Sequence, residues 1–403
     1  MALPYASAID LGGRALDQRY ARLGRHPYLS PRARRRQLWL TIHRWLGIVL
    51  LIPMALLGFS GSLQVWPEET EALLNRERAV AATADPAALT AAHVTAARTG
   101  LANYGPITRI ELGEVGSAIV ATSAPYAPPS IASRGPVARQ VWVDPGSAAV
   151  VDSEDTASFM ALMHMLHGVL LIPGVGRQVV GIMGLFLTIS GVTGIIVFWP
   201  GLRRAVAALR WQRRDGTLLN LHRQSGFVLS LVLIFEAITG AWISFPGFFA
   251  SMVEPGVEQP QRPRRGGPEG TPLESEDASW MIAAQSAQAA YDGRLSSISA
   301  PMEDTQAWTV TMTSPGKTAT VTVPLGGGAP EVKEEEAREG PPPATTRAGA
   351  VATWMRGAHY ATIGGFLWQV LVFLSGWALT FLAISGVYVW GKRELFGRKR
   401  RRA

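Results

Sequence analysis

A chain of 403 residues that is 48% hydrophobic and 17% charged is too apolar for an ordinary soluble domain and too rich in core-forming residues to be disordered. Its net charge of +8 falls in short clusters beside apolar runs, which points to a lipid bilayer as partner and away from nucleic acid. The absence of cysteine excludes disulfides, thiolate zinc sites, iron–sulfur clusters and haem tethered through Cys-x-x-Cys-His, so any metal chemistry rests on His, Met or carboxylates.

A spanning helix needs roughly 20 mostly apolar residues. In chain order, residues 1–36 form a tail ending in Arg32, Arg34, Arg35 and Arg36, and residues 37–66 form the first span, apolar from Leu38 to Trp66. Residues 67–176 form an outside domain with a His-bearing helix at its end, and residues 177–200 the second span, apolar from Val179 to Trp199. A basic loop, 201–217, carries Arg203, Arg204, Arg210, Arg213 and Arg214 to the third span, 218–246. A second outside domain, 247–355, precedes the fourth span, 356–391, and a tail, 392–403, with Lys392, Arg393, Arg398, Lys399, Arg400, Arg401 and Arg402. Four crossings put all three basic clusters on one side, and the positive-inside rule makes that side, with both termini, cytoplasmic. Trp39, Trp66, Trp199, Phe245 and Trp390 stand at the span ends, where amphipathic rings favour the interface.

The outside segments each read as a small α+β domain. Helices are expected over Pro86–Arg98 and Asp277–Asp292. Strands are expected over Ile107–Leu112, Ala118–Thr122, Arg139–Val143, Ala149–Asp152, Trp308–Thr313 and Thr318–Val323, with a turn at Asp144-Pro145-Gly146. Arg262–Pro272 and Gly326–Pro343 read as loops.

Internal duplication carries the chemistry. Aligning His43 with His222 also matches Arg44 with Arg223, Gly47 with Gly226, Gly61 with Gly240 and Pro67 with Pro246. Setting Ser190-Gly191 on Ser385-Gly386 aligns spans two and four and places His164 opposite His359. The expected fold is therefore an all-α four-helix transmembrane bundle built from two repeats, with two outside α+β domains. His43 and His222 lie roughly 35 Å along the helix before Pro67 and Pro246, near the cytoplasmic edge. His164, His167 and His359 precede spans two and four, near the other edge. Two pairs of facing imidazoles at opposite depths suit two haems, each iron held by one His from each of two helices, and without cysteine these are b-type.

His164 and His167 share a helix face and cannot grip one iron from opposite sides, and both remain candidates opposite His359. Arg44 and Arg223 are positive-inside residues or anchors for the haem propionates, and Arg177, at the outer start of span two, has the same two readings, interfacial residue or propionate anchor, at the other face. Glu236, about 21 Å along the helix from His222 and inside an apolar run, is an intramembrane carboxylate that could relay protons or tune the outer haem. Gly58, Gly61, Gly181, Gly184, Gly191, Gly194, Gly240 and Gly386 allow close approach of helices or porphyrin. His26 and His93 read as solvated.

His43-Arg44-Trp45-Leu46-Gly47, Leu166-His167 with Gly174 and Arg177, Leu221-His222-Arg223 with Gly226, and the Ser-Gly endings of spans two and four together resemble the PepSY-associated transmembrane family. The strand-turn Gln140-Val141-Trp142-Val143-Asp144-Pro145 is similar to the closing hairpin of a PepSY domain. The resemblance runs from about Arg36 to Arg393. It implies a bacterial inner-membrane protein with PepSY-like periplasmic domains, similar to di-haem ferric-siderophore reductases, in which electrons cross through two bis-His haems to a periplasmic ferric siderophore. Reduction releases iron because common siderophores hold ferrous iron more weakly than ferric. The cytoplasmic segments lack a strand–Gly-x-Gly-x-x-Gly–helix unit, so electrons must come from a quinol or a cytoplasmic or membrane donor. The competing readings are a non-enzymatic PepSY-type envelope regulator or sensor, with structural histidines, and an iron or siderophore transporter.

Overall fold

The computed structural model describes residues 31–79, 89–113, 117–133, 135–198, 216–256, 272–273, 275–336 and 346–402. His26, most of the basic loop 201–217, and nearly all of the segment Arg262–Pro272 lie outside the described residues. The chain divides into two compact units. The smaller comprises Met1–Ile52, Phe186–Ile234 and Phe381–Ala403, and the larger Pro53–Leu185 and Phe235–Thr380.

Among the described residues three helices are long and apolar enough to cross a membrane: α6 (Gly176–Phe198), α7 (Thr217–Ser244) and α11 (Gly365–Arg402), the last apolar as far as Lys392. The first expected span is two helices, α1 (Pro31–Val49) and α2 (Leu51–Leu63), bent by 67° at Leu50. Pro53 explains the break, since it has no N–H for the carbonyl four residues earlier and its ring crowds that carbonyl. The chain is a membrane protein on these helices. Pro67 and Pro246, matched in the sequence, each open a short helix directly after a spanning segment, α3 (Pro67–Leu74) and α8 (Pro246–Val253).

In the larger unit the helices approach closely through small residues. A methyl group built on Gly58 would lie 2.5 Å from the Gly376 carbonyl oxygen, and one on Gly184 would lie 2.9 Å from that of Ala237. Ser62 Oγ donates to the Phe373 carbonyl (3.0 Å) and Thr380 Oγ1 to that of Ala55 (3.1 Å), so polar side chains tie the helices where apolar tails give no driving force.

The outside segments do not form two separate domains. Each supplies four strands to one antiparallel sheet, ordered β4-β3-β2-β1-β5-β6-β7-β8. The first four are β1 (Ile107–Leu112), β2 (Ile119–Ser123), β3 (Arg139–Val143) and β4 (Val150–Asp155). The second four are β5 (Arg294–Ser299), β6 (Ala307–Ser314), β7 (Lys317–Pro324) and β8 (Glu331–Glu336). The join is the β1–β5 pair, with Ile110 opposite Ile298 and Arg109 opposite Ser299. Four strands alone would leave β1 and β5 as open edges, and pairing them satisfies both rows of backbone groups while merging two small cores into one. Helices α4 (Ala91–Gly100) and α9 (Asp277–Ala290) cover the same face and share the core with Leu101, Ile110, Ile298 and Trp308. Each fully buried large side chain there stabilises by roughly 1.5–3 kcal/mol. Arg98 Nε meets Asp277 Oδ1 at 2.6 Å between these helices, and Trp280 packs edge-on against Trp308 at 4.8 Å. Strand β8 occupies part of the stretch expected to be a loop. His93, expected to be solvated, is 5% exposed, its Nδ1 accepting from Thr90 N (3.1 Å) and its Nε2 donating to the Pro145 carbonyl (3.0 Å).

The shared sheet is open to a direct check in this cysteine-free chain. The double variant Arg109→Cys/Ser299→Cys is expected to form an intramolecular disulfide on mild oxidation, because directly paired strand residues lie within disulfide reach. Peptide mass spectrometry reads the cross-link, and two independent domains would not give it.

Candidate functional site

Four histidines occupy equivalent settings, two in each unit. In the smaller unit, His43 on α1 lies against α6, and His222 on α7 lies against α11. His43 Nδ1 is 3.0 Å from the Ser190 carbonyl oxygen and 3.2 Å from Thr193 Oγ1, and a methyl group on Gly194 would lie 3.1 Å from its Cε1. His222 Nδ1 is 2.9 Å from Ser385 Oγ and also bonds the Leu382 carbonyl, and a methyl group on Gly386 would lie 3.1 Å from its Cε1.

The larger unit repeats the pattern. His167 sits in the last turn of α5 (Phe159–Val169), which Ser158 caps by accepting from Ala161 N at 3.2 Å. His359 ends α10 (Arg347–His359), capped in the same way by Thr346 at 3.0 Å from Gly349 N. His167 Nδ1 donates to the Leu57 carbonyl (3.0 Å), and a methyl group on Gly61 would lie 2.7 Å from its Cε1. His359 Nδ1 lies 3.0 Å from Thr239 Oγ1 and 3.0 Å from Glu236 Oε2, and a methyl group on Gly240 would lie 3.1 Å from its Cε1. The His167 and His359 rings face one another with centroids 6.0 Å apart and planes inclined by 38°.

Each ring thus rests on a hydroxyl–glycine step of a neighbouring helix: Ser60-Gly61, Thr193-Gly194, Thr239-Gly240 or Ser385-Gly386. Glycine gives the imidazole room to lie flat against the helix. At His43 and His167 a carbonyl one turn earlier takes the Nδ1 proton, and at His222 and His359 the partner is the Ser385 or Thr239 hydroxyl, which itself donates to a carbonyl of its own helix. A carbonyl, or a hydroxyl whose proton is committed, can only accept, so Nδ1 carries the hydrogen and the Nε2 lone pair is left over. Among the described residues no hydrogen bond reaches Nε2 of His43, His167, His222 or His359. His93 is the contrast, with both ring nitrogens engaged in holding a helix start.

This geometry corrects the register of spans two and four. Thr193-Gly194 is equivalent to Ser385-Gly386, 192 residues on, and the same interval separates His167 from His359. Ser190-Gly191 is three residues out of step, and Gly191 packs instead on Ile234. His164, placed opposite His359 by the earlier alignment, is bonded through Nδ1 to Gln64 Oε1 at 2.8 Å. The recurrence of a hydroxyl–glycine dipeptide in all four spans was the signal available in the sequence for choosing His167.

The residues fit a bis-imidazole haem. Two coordination bonds of roughly 2 Å and the half-widths of two rings put opposed imidazoles at about 6 Å between centroids, as His167 and His359 are. The donor set in each unit is two histidines, and no group of three or more His, Asp or Glu placed for a metal ion occurs among the described residues. Of the three arginines expected near a cofactor, Arg223 is buried, with a guanidinium nitrogen 2.8 Å from Asn220 Oδ1, whereas Arg44 and Arg177 are exposed.

A depression of about 650 Å³ on the sheet is lined by Arg78, Arg109, Glu111, Trp142 and Ser297 among others. Its cations are matched within the chain. Arg78 pairs with Glu71 (3.2 Å), Asp152 (2.6 Å) and Glu154, and Arg109 with Glu111 (2.6 Å). These carboxylates leave it little net charge with which to attract an anion.

The sequence pattern of the PepSY-associated TM region matches residues 40–393, and the chain belongs to that family. No curated protein matches it.

The glycine seats generate a graded expectation. Gly61→Ala, Gly194→Ala, Gly240→Ala and Gly386→Ala each force an imidazole off its helix and should cost about 1–3 kcal/mol, read as lower thermal stability in detergent. Gly61→Ala has the closest contact and should cost most. Gly47→Ala meets nothing within 4 Å and is expected to be neutral or slightly stabilising.

Proposed function

We propose that this member of the PepSY-associated transmembrane family is a haem b oxidoreductase of the bacterial inner membrane that carries electrons from a quinol or cytoplasmic donor to a periplasmic ferric chelate of the siderophore type. One observation carries the reading: in each unit two histidines donate Nδ1–H to a neighbouring helix and leave Nε2 free, and in one of these pairs the rings face each other at 6.0 Å. That arrangement supports the reading, since such a pair of imidazoles would hold the iron of a porphyrin.

His43 with His222, and His167 with His359, would be the axial pairs. Bound haem supplies reversible one-electron storage between ferrous and ferric iron. The chain's own residues do the rest. The Nδ1–H anchors fix the tautomer and aim each Nε2, so little reorganisation accompanies a change of charge. The glycine steps let the rings seat against the helices. Apolar spans exclude water, and buried Arg223 offers a positive charge for an acidic side group of the macrocycle. With both imidazoles of a pair committed to the bound group, the chain itself offers no further histidine in that unit's pair for a substrate chelate. The siderophore class is proposed from the family resemblance, and the periplasmic placement is proposed from that resemblance together with the basic clusters.

His43→Ala or His222→Ala is expected to remove one haem and leave the other. His167→Ala or His359→Ala should remove the second, while His164→Ala should retain both, all read from reduced-minus-oxidised absorption spectra. Dithionite-reduced protein, freed of excess reductant and mixed with a panel of ferric chelates, is expected to reoxidise with appearance of ferrous iron in a colorimetric trap. Persistence of the reduced spectrum across the whole panel would sink the reductase assignment.

A further inference from the structure

The two axial anchors of the His167/His359 pair are chemically unequal. His167 gives its Nδ1 proton to a neutral amide oxygen, that of Leu57. His359 Nδ1 has Thr239 Oγ1 as its hydrogen-bond partner (3.0 Å) and lies at ion-pair distance, 3.0 Å, from the Glu236 carboxylate, with the His359 and Glu236 side chains 15% and 13% exposed. Leu57 and Glu236 are 179 residues apart, the interval that also relates His43 to His222 and Gly61 to Gly240. One structural position therefore carries an uncharged acceptor in the first half and a charged one in the second. Glu236 Oε1 has no hydrogen-bond partner among the described residues, so the carboxylate spends its one charge-assisted contact on His359.

A buried carboxylate in an apolar span is expensive, and the neutral counterpart shows that seating an imidazole does not require one. We propose that Glu236 is a positioning residue that acts through His359: its charge draws on the Nδ1 proton, makes Nε2 a stronger donor, and biases the His167/His359 site towards ferric iron relative to the His43/His222 site. The inference rests on the haem reading above and adds an order of potentials to it. Greater ligand basicity stabilises the more highly charged metal, and a lower potential at this site suits delivery of electrons to chelates whose hard oxygen ligands hold ferric iron strongly.

Spectroelectrochemical titration of the full chain in detergent tests this. Two waves are expected in the wild type, and the wave absent from His359→Ala identifies the site concerned. Glu236→Gln keeps an oxygen acceptor and removes the charge. It should leave the low-spin spectrum intact and move that wave alone to higher potential, raising its reduced-to-oxidised ratio about tenfold at fixed potential. Glu236→Asp, which keeps the charge on a shorter arm, should move it less. The proposal is overturned if Glu236→Gln leaves both waves in place or shifts them equally. It is overturned equally if both variants lose the site with the remaining wave unmoved, which would make the carboxylate structural. A wild-type protein without haem would defeat the functional reading and this inference together, whereas two haems with an indifferent Glu236 would defeat the inference alone.

Discussion

An imidazole set among apolar helices has two nitrogens to satisfy, and in this chain four of them satisfy only one. Each Nδ1 proton is taken by a group on the adjacent helix, and glycine one residue past a hydroxyl clears the space in which the ring lies. In a bilayer an unsatisfied polar atom costs several kcal/mol, and seating Nδ1 on the neighbouring helix removes one such cost from each ring. The spans, their small-residue contacts and the two capped helices α5 and α10 all serve to hold these rings at defined angles. The bilayer thus sets the requirement, and the hydroxyl–glycine steps meet it.

The same local solution appears four times, at sequence intervals of 179 and 192 residues. Leu57 and Glu236, 179 residues apart, each meet an imidazole Nδ1, the first through its carbonyl and the second through a carboxylate at 3.0 Å. Outside the spans, the halves meet by edge-to-edge strand pairing, and α4 and α9 share one core beneath the joined sheet. That join uses the two strands that a four-stranded domain would otherwise expose, so each half completes the other.

Much of this was legible from residue patterns, and the failures have physical causes. Apolar length gave the spans, and the strand Ile107–Leu112 was read at its observed bounds because alternation is strong there. The bend at Leu50 was missed because a hydropathy pattern runs unbroken through Pro53 and does not register a lost hydrogen bond. Strand β5 was missed because Arg294–Ser299 carries serines that alternate poorly with its apolar residues, and β8 because Glu331–Glu336 is mostly charged and pairs along a sheet edge. Whether the sheet was one or two depended on a pairing between residues nearly two hundred positions apart, which no local pattern encodes. Among the histidines, the sequence left His164 and His167 both open, because Ser190-Gly191 and Thr193-Gly194 are each a hydroxyl–glycine step, and the contact of Gly194 with His43 and of Gly386 with His222 supplies the register that places His167 opposite His359. His93 was read as solvated because its value lies in a helix cap and a turn carbonyl, both invisible to composition.

The central claim is that two opposed imidazole pairs each grip one iron porphyrin. Haem content per chain, taken by the pyridine haemochromogen method together with the electron paramagnetic resonance spectrum of the oxidised protein, tests it most directly. The account predicts two haems b per polypeptide with low-spin, six-coordinate signals and no high-spin population. A chain that stays colourless when expressed with ample haem, or one that binds haem in a five-coordinate high-spin form, would contradict it.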